Sequence, residues 1–107
     1  MSKNIFCLVY VTVGNISEAK SIARLALSKN LCACANIFPE MISIFKWQEK
    51  INSDNEVNMF LKTIDKKYNQ LEELIRKNHS YDTPCIIKIN ISDGNEKFLN
   101  WVEESIK

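Results

Sequence analysis

The order in which strand-like and helix-like patterns alternate is the feature that most constrains what this chain can fold into. Residues 5–13 alternate with the period of two that is typical of strands, and residues 15–30 then space their apolar side chains as one face of a helix does. The later patterns are a strand interrupted at Pro39, a second strand, a helix, a third strand and a short terminal helix, at 34–47, 56–64, 65–77, 85–91 and 98–106. The sequence therefore predicts the order β-α-β-β-α-β with one extra helix.

That order is typical of an α+β fold of the ferredoxin-like kind, the split βαβ arrangement. Right-handed crossovers are expected to place the helices on one face of a four-stranded antiparallel sheet. A chain of 107 residues is long enough to bury one hydrophobic core and too short for two. We therefore expect residues 1–107 to form a single domain.

Local signals predict where several elements begin and end. Asn15 is expected to cap the first helix, with Glu18 completing a capping box, and Asp65 is expected to cap the second. Pro39 predicts an edge position or a bulge in the second strand. Residues 41–64 form a long predicted β-hairpin, in which the polar segment 48–55 is expected to be the connection.

Several predicted strands are apolar on both faces, which a lone subunit would not need. The first strand alternates two sets that are both apolar, and the hairpin adds Phe45, Trp47 and Phe60. If the helices cover only one face of the sheet, the other face exposes a large apolar patch. Patches of that kind usually mark interfaces, so the sequence predicts self-association without fixing its stoichiometry.

Charge and composition exclude several classes of function. The net charge is +1, and the densest basic cluster, Lys62, Lys66 and Lys67, is flanked by acidic residues, so we expect neither nucleic-acid nor membrane partners. No stretch approaches the ~20 apolar residues of a membrane-crossing helix. The amino terminus lacks the apolar core of a signal peptide, so a cytoplasmic location is expected.

The chain offers little for catalysis. Its two glycines, Gly14 and Gly94, stand alone and make no phosphate-binding fingerprint, and a single histidine is not accompanied by a nucleophile motif. We therefore predict that the protein is not an enzyme and that it uses no organic cofactor. The four cysteines, Cys7, Cys32, Cys34 and Cys85, are interpreted as small buried hydrophobes. The alternatives are a thiolate metal site that involves Cys32 or Cys34, and a redox role.

Several short segments, taken together and in order, resemble the CutA family, the divalent-cation-tolerance proteins. Leu31–Asn36 with Pro39 resembles the family pattern L-A-A-C-V-N-x-x-P, and Ser43–Ile51 resembles S-x-Y-x-W-x-G-x-I. The match spans nearly the whole chain. The other segments that carry it are Val9–Thr12, Glu18–Ala19, Ile22–Ala23, Glu56–Val57, Leu61–Thr63, His79–Pro84 and Leu99–Trp101.

The resemblance implies a homotrimer in which long hairpins pair across subunits, similar to the assembly of PII-type signalling proteins. It also implies binding of Cu(II) or another divalent metal ion and a response to that ion. The implied metal ligands are His79, Asp82 and, from a neighbouring subunit, Cys34. Some family members have a second histidine just before this one, where this chain has Asn78, and the family often has proline just after it, where this chain has Ser80. The alternative is a purely structural role, in which His79 stabilises the last carbonyls of its helix.

Five further residues match family motifs and have two interpretations. Trp47 is expected to anchor an interface, while Glu56 and Lys62 are expected to form an ion pair or a solvated pair. Alternatively, Lys62, Tyr81 and Trp47 line a cleft between subunits that binds an anionic ligand. Glu49 replaces the glycine usual in the family, which is expected to change the turn of the hairpin.

Three functions follow from these patterns. The first is a metal-binding or metal-response trimer with a site near His79. The second is a PII-like module that senses a small anionic ligand and depends on Lys62. The third is a structural trimer that organises a partner protein through a patch outside its own seam.

Overall fold

The structure, a computed structural model, describes residues 4–107. The predicted order of elements is confirmed, including the terminal helix. The interpretation of the amino terminus as lacking a signal peptide falls mainly on residues 1–3, outside the described residues. The elements are β1 Phe6–Val13, α1 Ile16–Ser28, β2 Cys34–Trp47, β3 Lys50–Ile64, α2 Tyr68–Asn78, β4 Ile86–Asn90 and α3 Glu96–Ser105, with one 3₁₀ turn at Asp65–Lys67.

The four strands form one antiparallel sheet in the order β2-β3-β1-β4, as the ferredoxin-like prediction requires. Helices α1 and α2 pack on one face, where the alternate residues of β1 and β3 are fully buried. This face holds the main hydrophobic core. Its largest buried members are Ile22, Leu71, Ile75, Val9, Val11, Met59 and Leu61.

Helix α3 covers one end of the opposite face. Val102 of α3 and Ile106, which follows the helix, pack with Phe6 and Ile64. Phe6 and Ile64 point away from α1 and α2 because they fall on the other alternation of their strands. The expectation that helices lie on one face therefore holds for α1 and α2 and is wrong for α3. No helix formed by residues 4–107 covers the rest of this second face.

The two predicted helix caps have different outcomes. Asn15 caps α1 as predicted, since its Oδ1 accepts the N–H of Glu18 at 2.8 Å. The prediction that Glu18 completes a capping box is wrong, because the Glu18 carboxylate accepts hydrogen bonds from Ser80 instead. Asp65 does not cap α2, which starts from a 3₁₀ turn, because its carboxylate is paired with the Lys88 ammonium on β4.

The β2–β3 hairpin is longer and its turn tighter than the sequence predicts. The bulge expected at Pro39 is confirmed by a register shift between Phe38 and Met41. The polar segment 48–55 is not a loop, because β3 begins at Lys50 and pairs with Trp47. Backbone pairing with β2 extends the strand through this polar segment, although its one large apolar side chain, Ile51, is exposed. The turn is only Gln48–Glu49, both with left-handed φ (52° and 65°), as a two-residue hairpin requires.

Among residues 4–107, no helix combines the length and apolar character of a membrane crossing, and the longest has 13 residues.

Candidate ligand site at the exit of the second helix

His79 lies where α2 ends and the chain turns back towards the sheet. Helix α2 ends at Asn78, whose side-chain amide donates to the Leu74 carbonyl at 2.8 Å, and His79 then adopts an extended conformation. The His79 side chain is fully buried. Its Nε2 lies 2.8 Å from the Thr12 carbonyl oxygen on β1, so the carbonyl it contacts belongs to the sheet rather than to its own helix.

Both ring nitrogens of His79 have hydrogen-bond partners. Nδ1 accepts the backbone N–H of Tyr81 at 3.1 Å, so this nitrogen carries no proton in the arrangement. The ring proton is then on Nε2, which donates to Thr12. A metal ion at either nitrogen would have to displace one of these bonds.

Glu18 on α1 belongs to this candidate site, although the sequence analysis gave it no role beyond a helix cap and a family motif. One carboxylate oxygen accepts the Ser80 N–H and the other accepts the Ser80 hydroxyl, both at 2.8 Å. The same carboxylate lies 3.6 Å from Nδ1 of His79. Glu18 therefore ties the start of α1 to the exit of α2. Its place three residues after Asn15 gave no signal of this long-range contact.

Tyr81 connects the exit of α2 to the long hairpin. Its hydroxyl donates to the Glu56 carboxylate at 2.9 Å, and its ring lies 4.8 Å from the His79 ring between centroids. Gly14 lies beside the Tyr81 ring, where a Cβ would make an ordinary contact with the hydroxyl oxygen at 3.4 Å. Burial raises the pKa of Tyr81 to about 12, with the Glu56 hydrogen bond and nearby carboxylates adding to the shift.

An open groove runs beside this cluster, and its charged side chains are acidic. It lies between the start of α1 and the part of the hairpin that follows the bulge, and Glu40 and Glu56 both line it. Within residues 4–107, no lysine or arginine forms an ion pair with Glu18, Glu40, Asp54 or Glu56. The groove therefore has a negative potential, which attracts cations and repels anions. The predicted ion pair between Glu56 and Lys62 is wrong.

Comparison with known proteins assigns the family. The sequence model of the CutA1 divalent ion tolerance protein matches residues 7–105. The chain belongs to the CutA1 divalent ion tolerance family. A divalent-cation tolerance protein CutA from Archaeoglobus fulgidus is 39% identical over 99 residues, covering 92% of this chain and 96% of that protein.

Two other similar proteins extend the comparison. The chloroplastic CutA of Arabidopsis thaliana is 36% identical over 94% of this chain, which spans 55% of that longer protein. The crystal structure of CutA1 from Ehrlichia chaffeensis superimposes with a TM-score of 0.94 at 33% identity, covering 99% of both chains. The ferredoxin-like architecture described above is thus the CutA1 architecture. The family is named for tolerance of divalent ions and not for a reaction.

Within this CutA1 fold, the predicted site residues fall in three places. His79, Tyr81 and Glu56 meet at the exit of α2. Cys34 and Lys62 are cross-strand partners on the sheet face that α1 and α2 do not cover. Lys62 is six residues from Glu56 along β3, about 20 Å at the rise of a strand. Its ammonium lies 5.3 Å from the Phe98 ring centroid instead.

The remaining predicted residues are exposed. Trp47 and Glu49 lie at the tip of the hairpin, and Trp47 is 61% exposed. Asp82 is exposed beyond Tyr81. In one copy of the described chain, no three side chains of the His, Cys, Asp and Glu types come together as a metal centre. The ligand set His79, Asp82 and Cys34 would therefore need more than one CutA1 subunit.

The four cysteines of this CutA1 chain are free thiols in two kinds of environment. Cys7 and Cys32 are buried, and burial raises their pKa values to about 11 and about 12. Cys34 and Cys85 are partly exposed. The interpretation of the cysteines as small buried hydrophobes is confirmed for Cys7 and Cys32. Because metal ions bind the thiolate and a raised pKa disfavours it, these two cysteines are poor metal ligands.

Proposed function

We propose that the protein is a homotrimer that binds a divalent cation at the acidic groove, where one subunit meets the next. The proposal rests on the carboxylates around Tyr81, which form no ion pair with a lysine or arginine within residues 4–107. Carboxylate oxygens are the donors that hard divalent cations prefer, and imidazole adds affinity for Cu(II) and Zn(II). A response to metal ions would follow from this binding.

The trimer is supported by the apolar side chains that a lone subunit leaves in water. Ile42, Ile44 and Ile51 share one side of the hairpin beyond the bulge, and each is at least 70% exposed. Ile87 and Ile89 are also exposed on the edge strand β4. Exposed apolar groups in such number are typical of interfaces. The groove is lined by residues of the same hairpin segment, so association would bring a second subunit close to it.

Within residues 4–107, one subunit does not bring together enough side chains to hold a metal ion, and this fits a site shared between subunits. Glu56 and Glu18 each have an oxygen near Tyr81 or His79, but their hydrogen bonds already use part of their capacity. We propose that a neighbouring subunit completes the coordination. His79 and Asp82 are the alternative donors, with Cys34 from another subunit, and His79 would have to give up its bond to Tyr81 or Thr12.

The oligomeric state is tested first, by light scattering coupled to size-exclusion chromatography. Ile44→Lys places a charge among the exposed isoleucines and is expected to convert the trimer to monomer. Ser43→Lys is the matched control, because Ser43 is already polar and its side chain lies on the opposite side of β2 from Ile44. A wild-type monomer, or a trimer unaffected by Ile44→Lys, would refute this interface.

Cation binding is then tested by calorimetric titration of the untagged trimer with Cu(II), with Mg²⁺ in parallel. We expect saturable binding at a fixed ratio per subunit, lost in Glu56→Gln and kept in Glu104→Gln, a carboxylate paired with Lys107 on the other side of the fold. His79→Ala decides whether the imidazole is a ligand. The melting temperature of each variant, measured without metal, separates lost binding from lost folding.

A structural trimer that organises a partner protein is the second candidate. It is favoured by one observation, that both ring nitrogens of His79 are used by the protein itself. Absence of any saturable metal binding by an intact trimer would support it. A small anionic ligand at the groove is disfavoured by the carboxylates there. That the protein is cytoplasmic and not an enzyme is part of the same proposal.

A further inference from the structure

The segment between β4 and α3 contains the chain's one Asp-Gly pair, Asp93–Gly94. Both residues are exposed and lie outside helices and strands. The backbone N–H of Gly94 donates to Oδ1 of Asp93 at 2.8 Å, which holds the amide nitrogen beside the carboxyl carbon bonded to that oxygen. Glycine has no Cβ to hinder this approach. Reacting atoms held at contact distance gain much of the advantage of an intramolecular reaction.

We propose that Asp93 is a site of spontaneous isomerisation to isoaspartate. The Gly94 amide nitrogen attacks Cγ of the protonated Asp93 carboxyl group and forms an N–Cγ bond. The carboxyl hydroxyl leaves with the amide proton as one water molecule, which gives a five-membered succinimide. Water then adds at one of its two carbonyls. Opening at the backbone carbonyl gives isoaspartate, opening at the side-chain carbonyl restores aspartate, and neither oxidant nor cofactor is needed.

The other aspartates lack this combination of features. Asp54 lies in β3, where it is paired with Ser43 across the hairpin. The Asp65 carboxylate is bound to Lys88. Asp82 is exposed, but Thr83 follows it, and a β-branched side chain stiffens and crowds the adjacent backbone. Asp82 is therefore the most informative comparison, since it matches Asp93 in exposure and differs in the residue that supplies the nucleophile.

Isomerisation at this point would disturb the start of α3. The next residue, Asn95, caps the helix, because its Oδ1 accepts the Phe98 N–H at 2.9 Å. Gly94 itself lies against Leu99, whose side chain packs on the second hydrophobic cluster. Isoaspartate routes the main chain through the side-chain carbon and adds one methylene to it. We infer that the cap is displaced and that α3 holds its cluster less firmly.

The experiment follows the full-length protein during storage at physiological temperature in its folded state. Trypsin releases residues 89–97, which contain Asp93 as their one aspartate, and residues 78–88 and 51–62, which contain Asp82 and Asp54. Liquid chromatography with electron-transfer fragmentation distinguishes isoaspartate from aspartate at equal mass. We expect isoaspartate to accumulate in peptide 89–97, with a transient species lighter by one water, and to stay at background in the other two.

Two variants decide between this mechanism and general ageing. Gly94→Ala is expected to reduce accumulation to background, and a Cβ there would make only an ordinary contact with Leu99. Asp93→Glu removes the five-membered ring and is expected to abolish the signal. Equal accumulation in peptides 89–97 and 78–88, or wild-type accumulation in Gly94→Ala, would overturn the assignment. If isoaspartate accumulates and the melting temperature stays unchanged, the inferred weakening of α3 is wrong.

Discussion

The two halves of the β2–β3 hairpin have similar strand patterns and opposite environments. In the half next to β1, Met59 and Leu61 are fully buried beneath α1 and α2. In the half beyond the bulge, Ile44 and Ile51 are 72% and 78% exposed, although backbone pairing continues to the tip. The difference is that helices cover only the first half.

This comparison shows that backbone pairing and burial are separate sources of stability. The outer half is paired from Met41 to Trp47, yet an isolated two-stranded hairpin is marginal in water at best. Its exposed isoleucines would each contribute on the order of 1.5–3 kcal/mol if another surface covered them. The inner half is stable within one subunit, whereas the outer half depends on what covers it.

The largest expected effect is truncation in the inner half. Leu61→Ala removes a fully buried side chain and leaves a cavity, so the free energy of unfolding should fall by about 2–5 kcal/mol. Urea denaturation monitored by circular dichroism measures this. Ile51→Ala in the outer half is the comparison. If the proposed trimer forms, its effect should grow with protein concentration, because association and folding are then linked.

A smaller effect is expected at the turn of the outer half. Glu49 has a φ of 65°, a conformation that is unfavourable for a side chain with Cβ and readily adopted by glycine. Glu49→Gly should raise the free energy of unfolding by about 0.5 kcal/mol, after the greater flexibility of glycine in the unfolded chain is included. Thermal denaturation measures the change. Asp54→Gly, within β3, should lower stability instead, and an increase there would contradict the argument from φ.

The effect that is smallest at neutral pH is a pH dependence of stability, which appears only above about pH 9. Burial raises the pKa of Cys32 from 9.0 to about 12. At a pH between these two values, the folded protein keeps the thiol proton of Cys32 and the unfolded chain loses it. The stabilisation is complete below pH 9 and is lost as the pH rises towards 12. Cys7 and Tyr81 act in the same direction.

Urea midpoints measured across this alkaline range test the dependence. Cys32→Ala should make the decline shallower, while Cys85→Ala keeps both buried thiols and should leave the decline unchanged. A decline that is equal in wild type and Cys32→Ala would show that Cys32 does not contribute.

Much of the fold could be predicted from local patterns, and the errors share one cause. Asn15 capped its helix and Pro39 marked a bulge because each acts on neighbouring backbone. Glu18 and Asp65 were assigned to local caps, but distant partners, Ser80 and Lys88, took their carboxylates. A side chain with a local and a distant choice cannot be assigned from spacing alone.

The sequence by itself determined the order of elements, the family and the apolar surplus that predicts association. These follow from periodicity and from collinear motifs, which are properties of neighbouring residues. The tertiary structure was needed to show that Glu18 on α1 and Glu56 on β3 meet His79 and Tyr81 while Lys62 lies elsewhere, because the residues that meet come from three separate parts of the chain. Which side chains converge depends on how helices pack and strands register, and a linear pattern does not contain that geometry.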